Sequence, residues 1–261
     1  MAIPIKNVLP AIAALEKTAP EEGVLTQDQL VLLEQWAGLS LTEIKTLLSP
    51  QHNKLLLKAQ PHRETAVNIV FHRMQEEEKP PIVYSVAETV YGQVIIASTP
   101  VGVCYLVFYN GGRERAKAII ERHFPGSAVS AGTDRVQEDA LAFIFGDTDR
   151  KVHLHVKGTE EQLKIWAALI KVPEGMVTSY GALGKSAACM AQDVGVAMGE
   201  NRVALLIPCH RVIKATGEIG LYHYGSRLKR AIILREARRR SGDGFAGSVE
   251  GVGGYTLRRD E

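Results

Sequence analysis

The stretch Leu205-Leu206-Ile207-Pro208-Cys209-His210-Arg211-Val212-Ile213 sets a thiol and an imidazole side by side between two strongly apolar flanks. Such flanks predict a buried, strand-like segment, where reactive groups are uncommon. A thiol is a good nucleophile only as thiolate, with an unperturbed pKa of roughly 8.5, and a neighbouring imidazole is the usual means of drawing its proton away. Taken as a Cys-His pair alone, a buried structural cysteine beside a surface histidine is the commoner arrangement. The surrounding chain has to decide between the two.

Upstream, Gly158-Thr159 precedes Glu160, Glu161 and Gln162, so Thr159 can cap a helix whose apolar face is Leu163, Trp166, Ala167 and Ile170, ended by Pro173 and Gly175. Thr178-Ser179 can start a short helix at Tyr180, and a second helix runs from about Met190 to Gly199. Two short helices joined by a tight turn, with Cys189 in it, are a candidate helix-turn-helix. Downstream, Arg227, Lys229, Arg230, Arg235, Arg238, Arg239 and Arg240 crowd one segment, either a patch that meets phosphates or a solvated helix face. From Ser241 onward the chain is rich in Gly, Ser and Arg without periodicity, which predicts disorder over 241–261.

Nearer the N-terminus the texture is α/β. Ile82 to Ala97 and Gly102 to Tyr109 are rich in Val, Ile, Tyr and Phe and are separated by Ser98-Thr99-Pro100, as expected of hairpin strands. Helices are expected over Arg113 to His123 and Val136 to Phe145, and a strand over Val152 to Val156. Before these, Gln75 to Pro81 combines a charge run with two helix-breaking prolines and reads as a linker. From Val8 to about Lys58 the apolar spacing is helical, through Leu30, Leu33 and Trp36 and later Ile44, Leu47 and Leu48.

A chain of 261 residues, 46% hydrophobic and 23% charged, is an ordinary folded chain with room for two unequal units. No run of about 18 apolar residues occurs, and the start lacks the layout of a secretory signal, so a cytoplasmic protein without membrane contact is expected. Three cysteines without paired spacing point to neither a disulfide framework nor a Cys-x-x-Cys metal site. The net charge of +2 neither requires nor excludes a polyanionic partner.

Pro208-Cys209-His210-Arg211-Val212, preceded by Leu205-Leu206-Ile207 and followed by Gly217 and Tyr222, closely resembles the active-site motif of the alkylguanine-DNA alkyltransferases, also called methylated-DNA-protein-cysteine methyltransferases. The resemblance runs from near Tyr84 to about Ala237, through Leu154-His155-Val156-Lys157-Gly158-Thr159 and Trp166-Ala167-Ala168-Leu169. It implies an α/β part over 82–157 and a mostly helical catalytic and DNA-binding part with a helix-turn-helix over 158–240, preceded by a small helical unit over 1–75. By position it implies that Cys209 accepts the alkyl group, His210 takes its proton through a water, and Glu236 orients the histidine, in triad logic. Asn201 matches the hinge asparagine, and Tyr180 the tyrosine that donates to the leaving base. Ile207, Val212, Tyr222 and Leu221 would form the pocket, with Arg211 and Gln192 on the DNA side.

Gln192 is a departure, since it stands where the family has an arginine that fills the stack vacated by the flipped base. Leu221-Tyr222-His223-Tyr224-Gly225 replaces the bacterial Gly-Tyr-x-Trp-Gly, which adds bulk at the pocket rim. Trp36-Ala37-Gly38-Leu39-Ser40, Leu47-Leu48-Ser49 and His52-Asn53-Lys54-Leu55-Leu56 resemble part of the AraC-type regulatory domain of Ada-like proteins, over about one helix-turn-helix of chain. The implied activity is a single, irreversible transfer of methyl from 6-O-methylguanine, or 4-O-methylthymine, in double-stranded DNA to Cys209, by a monomer without metal or cofactor. The alternatives are a binder of alkylated DNA with weak or no transfer, a transcription regulator and a cysteine hydrolase.

Overall fold

In Val94-Ile95-Ile96-Ala97 and Tyr105-Leu106-Val107 every residue is apolar, so these strands can be covered on both faces of a sheet. The computed structural model, which describes residues 5–16, 26–58, 68–146, 149–240 and 256–257, shows this division. Strands β1 (Ile69–Arg73), β2 (Ile82–Thr89), β3 (Gly92–Ser98), β4 (Val103–Phe108), β5 (Val129–Ala131) and β6 (Val152–Val156) form one mixed sheet in the order β1-β6-β4-β3-β2-β5. Ile95, Ala97, Tyr105 and Val107 point to one face, where a helix over Arg113–His123 buries Ala116 and Ile120. Val94, Ile96 and Leu106 point to the other, beneath a helix over Arg135–Ile144 and the C-terminal helical part of the chain.

In chain order the helices are α1 (Ile5–Glu16), α2 (Gln27–Ala37), α3 (Leu41–Leu48), α4 (Pro50–Lys58), α5 (Arg113–His123), α6 (Arg135–Ile144), α7 (Glu160–Leu169), α8 (Tyr180–Ala187), α9 (Ala191–Glu200) and α10 (Ser226–Arg240). Thr159 caps α7 through a reciprocal capping box with Gln162, and Ser179 caps α8 through the Ala182 amide. The chain is therefore an α/β sheet followed by a helical part, with further helices ahead of both.

Four elements differ from the sequence expectation. Ile82 to Ala97 is two strands, because the chain reverses at Val90-Tyr91, where Gly92 takes a φ of +111° and the Thr89 hydroxyl donates to the Gly92 carbonyl at 2.7 Å. β1 lies within the stretch expected to be wholly helical, and pairs in parallel with β6. Gln75 to Pro81 consequently joins two strands of one sheet. Residues 205–213 are no strand: Pro208 has no amide hydrogen for a ladder, and Cys209–Arg211 forms a single 3-10 turn before a two-residue strand, β8 (Val212–Ile213), paired with β7 (Thr178–Ser179). The tail over 241–261 lies outside the described residues except for Thr256–Leu257, a strand (β9) paired antiparallel with β2.

Backbone hydrogen bonds tie the sheet to the C-terminal helical part at β4. The Leu106 amide donates to the Arg202 carbonyl at 2.8 Å, and the Ala204 amide donates to Leu106 at 2.7 Å. This lays residues 202–204 against β4 and sends the chain towards Cys209 at a defined angle.

Candidate active site

The turn that replaces the expected strand aims Cys209 and His210 into the interior, where both are buried. Asn201, the residue following α9, fixes the approach. Its Nδ2 donates to the Ile207 carbonyl at 2.8 Å and to Cys209 Sγ at 3.2 Å, while its Oδ1 accepts from the Val203 amide at 2.9 Å. One side chain thus joins the end of α9, the bend at 203 and the Cys209 sulfur.

His210 and Glu236 form the second half of the site. His210 Nε2 lies 2.8 Å from Glu236 Oε1. An ionised carboxylate only accepts, so Nε2 carries the proton and Nδ1 carries the lone pair. His210 Nδ1 is buried without a protein hydrogen-bond partner. The ring is therefore held in the tautomer that can accept a proton on the side away from Glu236. Arg211 binds the same carboxylate, with Nε 3.0 Å from Oε2 and Nη2 2.8 Å from Oε1, and its Nη1 donates to the Val172 carbonyl at 2.7 Å. The Gly175 amide adds a donor to Oε2 at 3.3 Å.

Electrostatics follow from this packing. Burial would raise the Glu236 pKa, but Arg211 and then His210 hold the carboxyl well below the usual carboxylate range. Burial pulls His210 below its ordinary value, opposed by Glu236, so the ring is neutral and available as a base. Burial pushes the Cys209 thiol up, opposed by the Asn201 hydrogen bond and by the charge of Lys229. The resting sulfur is a thiol that needs its proton removed, and the neutral imidazole next to it in sequence is the base at hand.

Of the remaining residues singled out by sequence, Ile207 and Val212 are buried in the cluster that holds Cys209. Tyr180 is half-buried at the start of α8, and burial and then the Cys209 charge raise its pKa. Tyr222 has a buried hydroxyl near Cys209, where burial and then the Cys209 charge raise its pKa, and it packs edge-on to Tyr224 at 5.4 Å. Leu221 is 89% exposed and Gln192 is exposed on α9, outside this group. Arg211, expected on the DNA side, turns inward to Glu236, because a nearly buried carboxylate must be paired.

Residues 160–238 match a family model described as the DNA-binding domain of 6-O-methylguanine DNA methyltransferase. The inducible methylated-DNA–protein-cysteine methyltransferase of Bacillus subtilis is 31% identical over 171 residues, covering 62% of this chain and 94% of that protein. The methylated-DNA–protein-cysteine methyltransferase of Mycobacterium bovis is 37% identical over 122 residues, 46% of this chain and 71% of its own. The chain belongs to the methylated-DNA–protein-cysteine methyltransferase family. The regulatory protein Ada of Salmonella typhimurium is 31% identical over 166 residues, but the chain spans only 46% of its length. A solved O6-methylguanine methyltransferase of Mycobacterium tuberculosis superposes with a TM-score of 0.50 at 27% identity, covering 60% of this chain and 94% of that one.

From sequence, Lys229 belongs only to a basic patch. The structure buries it on α10, where Nζ donates to the Val212 carbonyl at 2.6 Å and the Leu221 carbonyl at 3.2 Å. Burial lowers its pKa to about 8, partly opposed by the Cys209 charge. The signal available in sequence was its helical spacing from Glu236, seven residues on, which puts both on one face of α10. Among the described residues no group of three or more His, Cys, Asp or Glu side chains is placed to hold a metal ion.

Proposed function

We propose that this protein repairs DNA by direct reversal, moving the alkyl group of 6-O-methylguanine to Cys209. The observations that carry the reading are Asn201 Nδ2 on the buried Cys209 sulfur and His210, the next residue in the chain, with Nε2 tied to Glu236 and Nδ1 left to accept. In the step, the Cys209 proton passes through one water to His210 Nδ1. The sulfur then attacks the alkyl carbon, a C–S bond forms, the carbon–oxygen bond breaks, and the electron pair goes to the guanine. Tyr180 donates a hydrogen bond to the leaving base as it gains charge. The thioether has no good leaving group and no second thiol is set to resolve it, so each molecule acts once.

Duplex DNA is the partner, read by α8 and α9 as a helix-turn-helix that enters the minor groove and accepts a flipped base. Two glycines support this. A Cβ added to Gly195 or Gly199 on α9 would meet nothing within the protein. Glycine inside a helix costs roughly 1 kcal/mol relative to alanine, so packing does not explain them, whereas close approach of a groove does. None of the described helices is long and apolar enough to cross a membrane. The protein is proposed to act as a monomer, with a shortened AraC-like unit at its N-terminus.

The test is intact-protein and peptide mass spectrometry after incubation with a duplex carrying one 6-O-methylguanine. One methyl on the Cys209 peptide, saturating at one per molecule and absent from Cys209→Ala, supports the reading. Selective binding of that duplex without transfer would instead support an alkylated-DNA recognition protein.

A further inference from the structure

Helix α10 faces two ways. One side presents Lys229 and Glu236 to the surroundings of the nucleophile. The other buries Leu228, Ala231, Ile232 and Leu234 against α1, α2 and α3. Arg235, the residue just before Glu236, is held by α2: its Nη1 donates to the Trp36 carbonyl at 3.1 Å, and its guanidinium stands 5.1 Å from the Trp36 ring centroid.

Helix α4 grips the chain that follows the nucleophile. Asn53 is fully buried and its Nδ2 donates to the Gly217 carbonyl at 2.9 Å. Gly217 has a φ of +87°, and a Cβ there would stand 2.0 Å from the Pro50 carbonyl oxygen, so only glycine allows the approach. Leu56 and Leu57 pack on Val177, Ile213, Ile219 and Ile233. Because Lys229 holds the Leu221 carbonyl, residues 213–222 lie clasped between α4 and α10, with Tyr222 at their end.

Apolar contacts alone would suffice to cover α10. Here directional bonds fall on the residue before Glu236 and on the turn between Ile213 and Tyr222. We infer that Trp36, Asn53 and Arg235 are positioning residues for alkyl transfer: α1 to α4 brace α10 and the 213–222 segment, and so set Glu236 and Tyr222 about Cys209. The inference rests on the transferase reading above. It gives the N-terminal helices a catalytic duty exerted from within the chain. A misplacement of about 1 Å in such a site costs on the order of a hundredfold in rate, so modest loosening of the brace is measurable.

The experiment uses the full chain and a duplex with one 6-O-methylguanine, following single-turnover methyl transfer as duplex concentration is raised. This separates the maximal rate constant from the half-saturating concentration. Asn53→Ala and Arg235→Met are expected to lower the maximal rate about tenfold or more, with half-saturation changed by less than about twofold. Arg235→Lys, which keeps a donor for the Trp36 carbonyl, recovers most of the rate. Leu55→Ser, at a side chain of α4 that is 63% exposed, behaves as wild type. Arg235 is only half-buried, so Arg235→Met tests the brace even if Asn53→Ala fails to fold. Unchanged maximal rates in a folded Arg235→Met, or a loss confined to half-saturation, would overturn the brace while leaving the transferase reading intact. A wild-type chain that transfers no methyl would sink both.

Discussion

Helices α3–α4 and α8–α9 are both short helix pairs joined by a tight turn, and both resemble DNA-reading units in sequence, yet their second helices pack differently. In α9, Val194 and Ala197 face inward, with Trp166 Nε1 donating to the Ala197 carbonyl at 3.0 Å, while Gln192, Gly195, Val196 and Gly199 face out. In α4, Asn53 is buried on Gly217 and Leu56 and Leu57 pack on the catalytic half. A helix can read a groove only with a face that its own protein leaves open. α9 leaves Gln192, Gly195, Val196 and Gly199 open, whereas α4 leaves Gln51, Lys54 and Leu55 open and spends its other face on the turn at Gly217.

The largest effect is expected at Glu236, on α10, which α3 contacts and Leu56 and Leu57 of α4 reach through Ile233. Replacing Glu236 by Ala would leave Arg211 without its carboxylate and His210 without its orienting acceptor. A loss of about 3–5 kcal/mol, the usual consequence of breaking a buried pair, is expected in urea unfolding. Transfer should fall with it. A loss under about 1 kcal/mol would mean that the buried charges are better hydrated than the geometry implies.

A second expectation concerns α4. Leu57→Ala should cost about 1–2 kcal/mol by removing partly buried apolar surface, without changing the half-saturating duplex concentration. If duplex affinity falls while stability holds, α4 is a reading helix after all. On α9 the pattern reverses. Gly195→Ala should raise stability by roughly 0.5–1 kcal/mol, since its Cβ meets nothing, yet weaken duplex binding in a fluorescence titration. Gln192→Arg should strengthen binding by a few-fold, the smallest effect in the series, because it adds one cation near phosphates.

Acid should act on the relay before it acts elsewhere in the site. His210 is held neutral in the folded chain, below its ordinary 6.5, so the unfolded chain takes up the extra proton and stability falls as pH drops beneath that value. Glu236 has a depressed pKa, so its contribution is complete above the ordinary 4.5 and is lost as pH falls below it. Both terms have the same sign, and a melting temperature that declines from about pH 6.5 and more steeply below about pH 4.5 is expected. In Glu236→Gln the steeper part should weaken, with the remainder left to Glu160 and Glu218, which are also lowered.

Local rules made much of this legible. The apolar spacing of α5, the alternation of β6 and the Thr159 cap of α7 are each set by residues within a few positions, and the structure has them where expected. The hairpin at Val90-Tyr91 was not legible, because neither residue is a usual turn former and the reversal depends on the Thr89 hydroxyl and Gly92. Arg211 and Lys229 were misplaced for another reason. Charge predicts exposure until a buried partner is known, and here the partners are Glu236, on an element many residues away, and two backbone carbonyls. Cys209, His210 and Glu236 were singled out through the spacing of a family motif, and the structure joins His210 to Glu236; composition and periodicity alone favoured a structural cysteine.

The central claim is that Cys209 is an alkyl acceptor activated by His210. Its most direct measurement is the mass of the intact protein after exposure to a duplex with one 6-O-methylguanine, for wild type and for Cys209→Ala. The account predicts a gain of one methyl group per wild-type molecule, located on the Cys209 peptide, and no gain in the variant. A methyl on Cys189 or Cys104, or an unmodified wild-type chain in the presence of bound duplex, would contradict it.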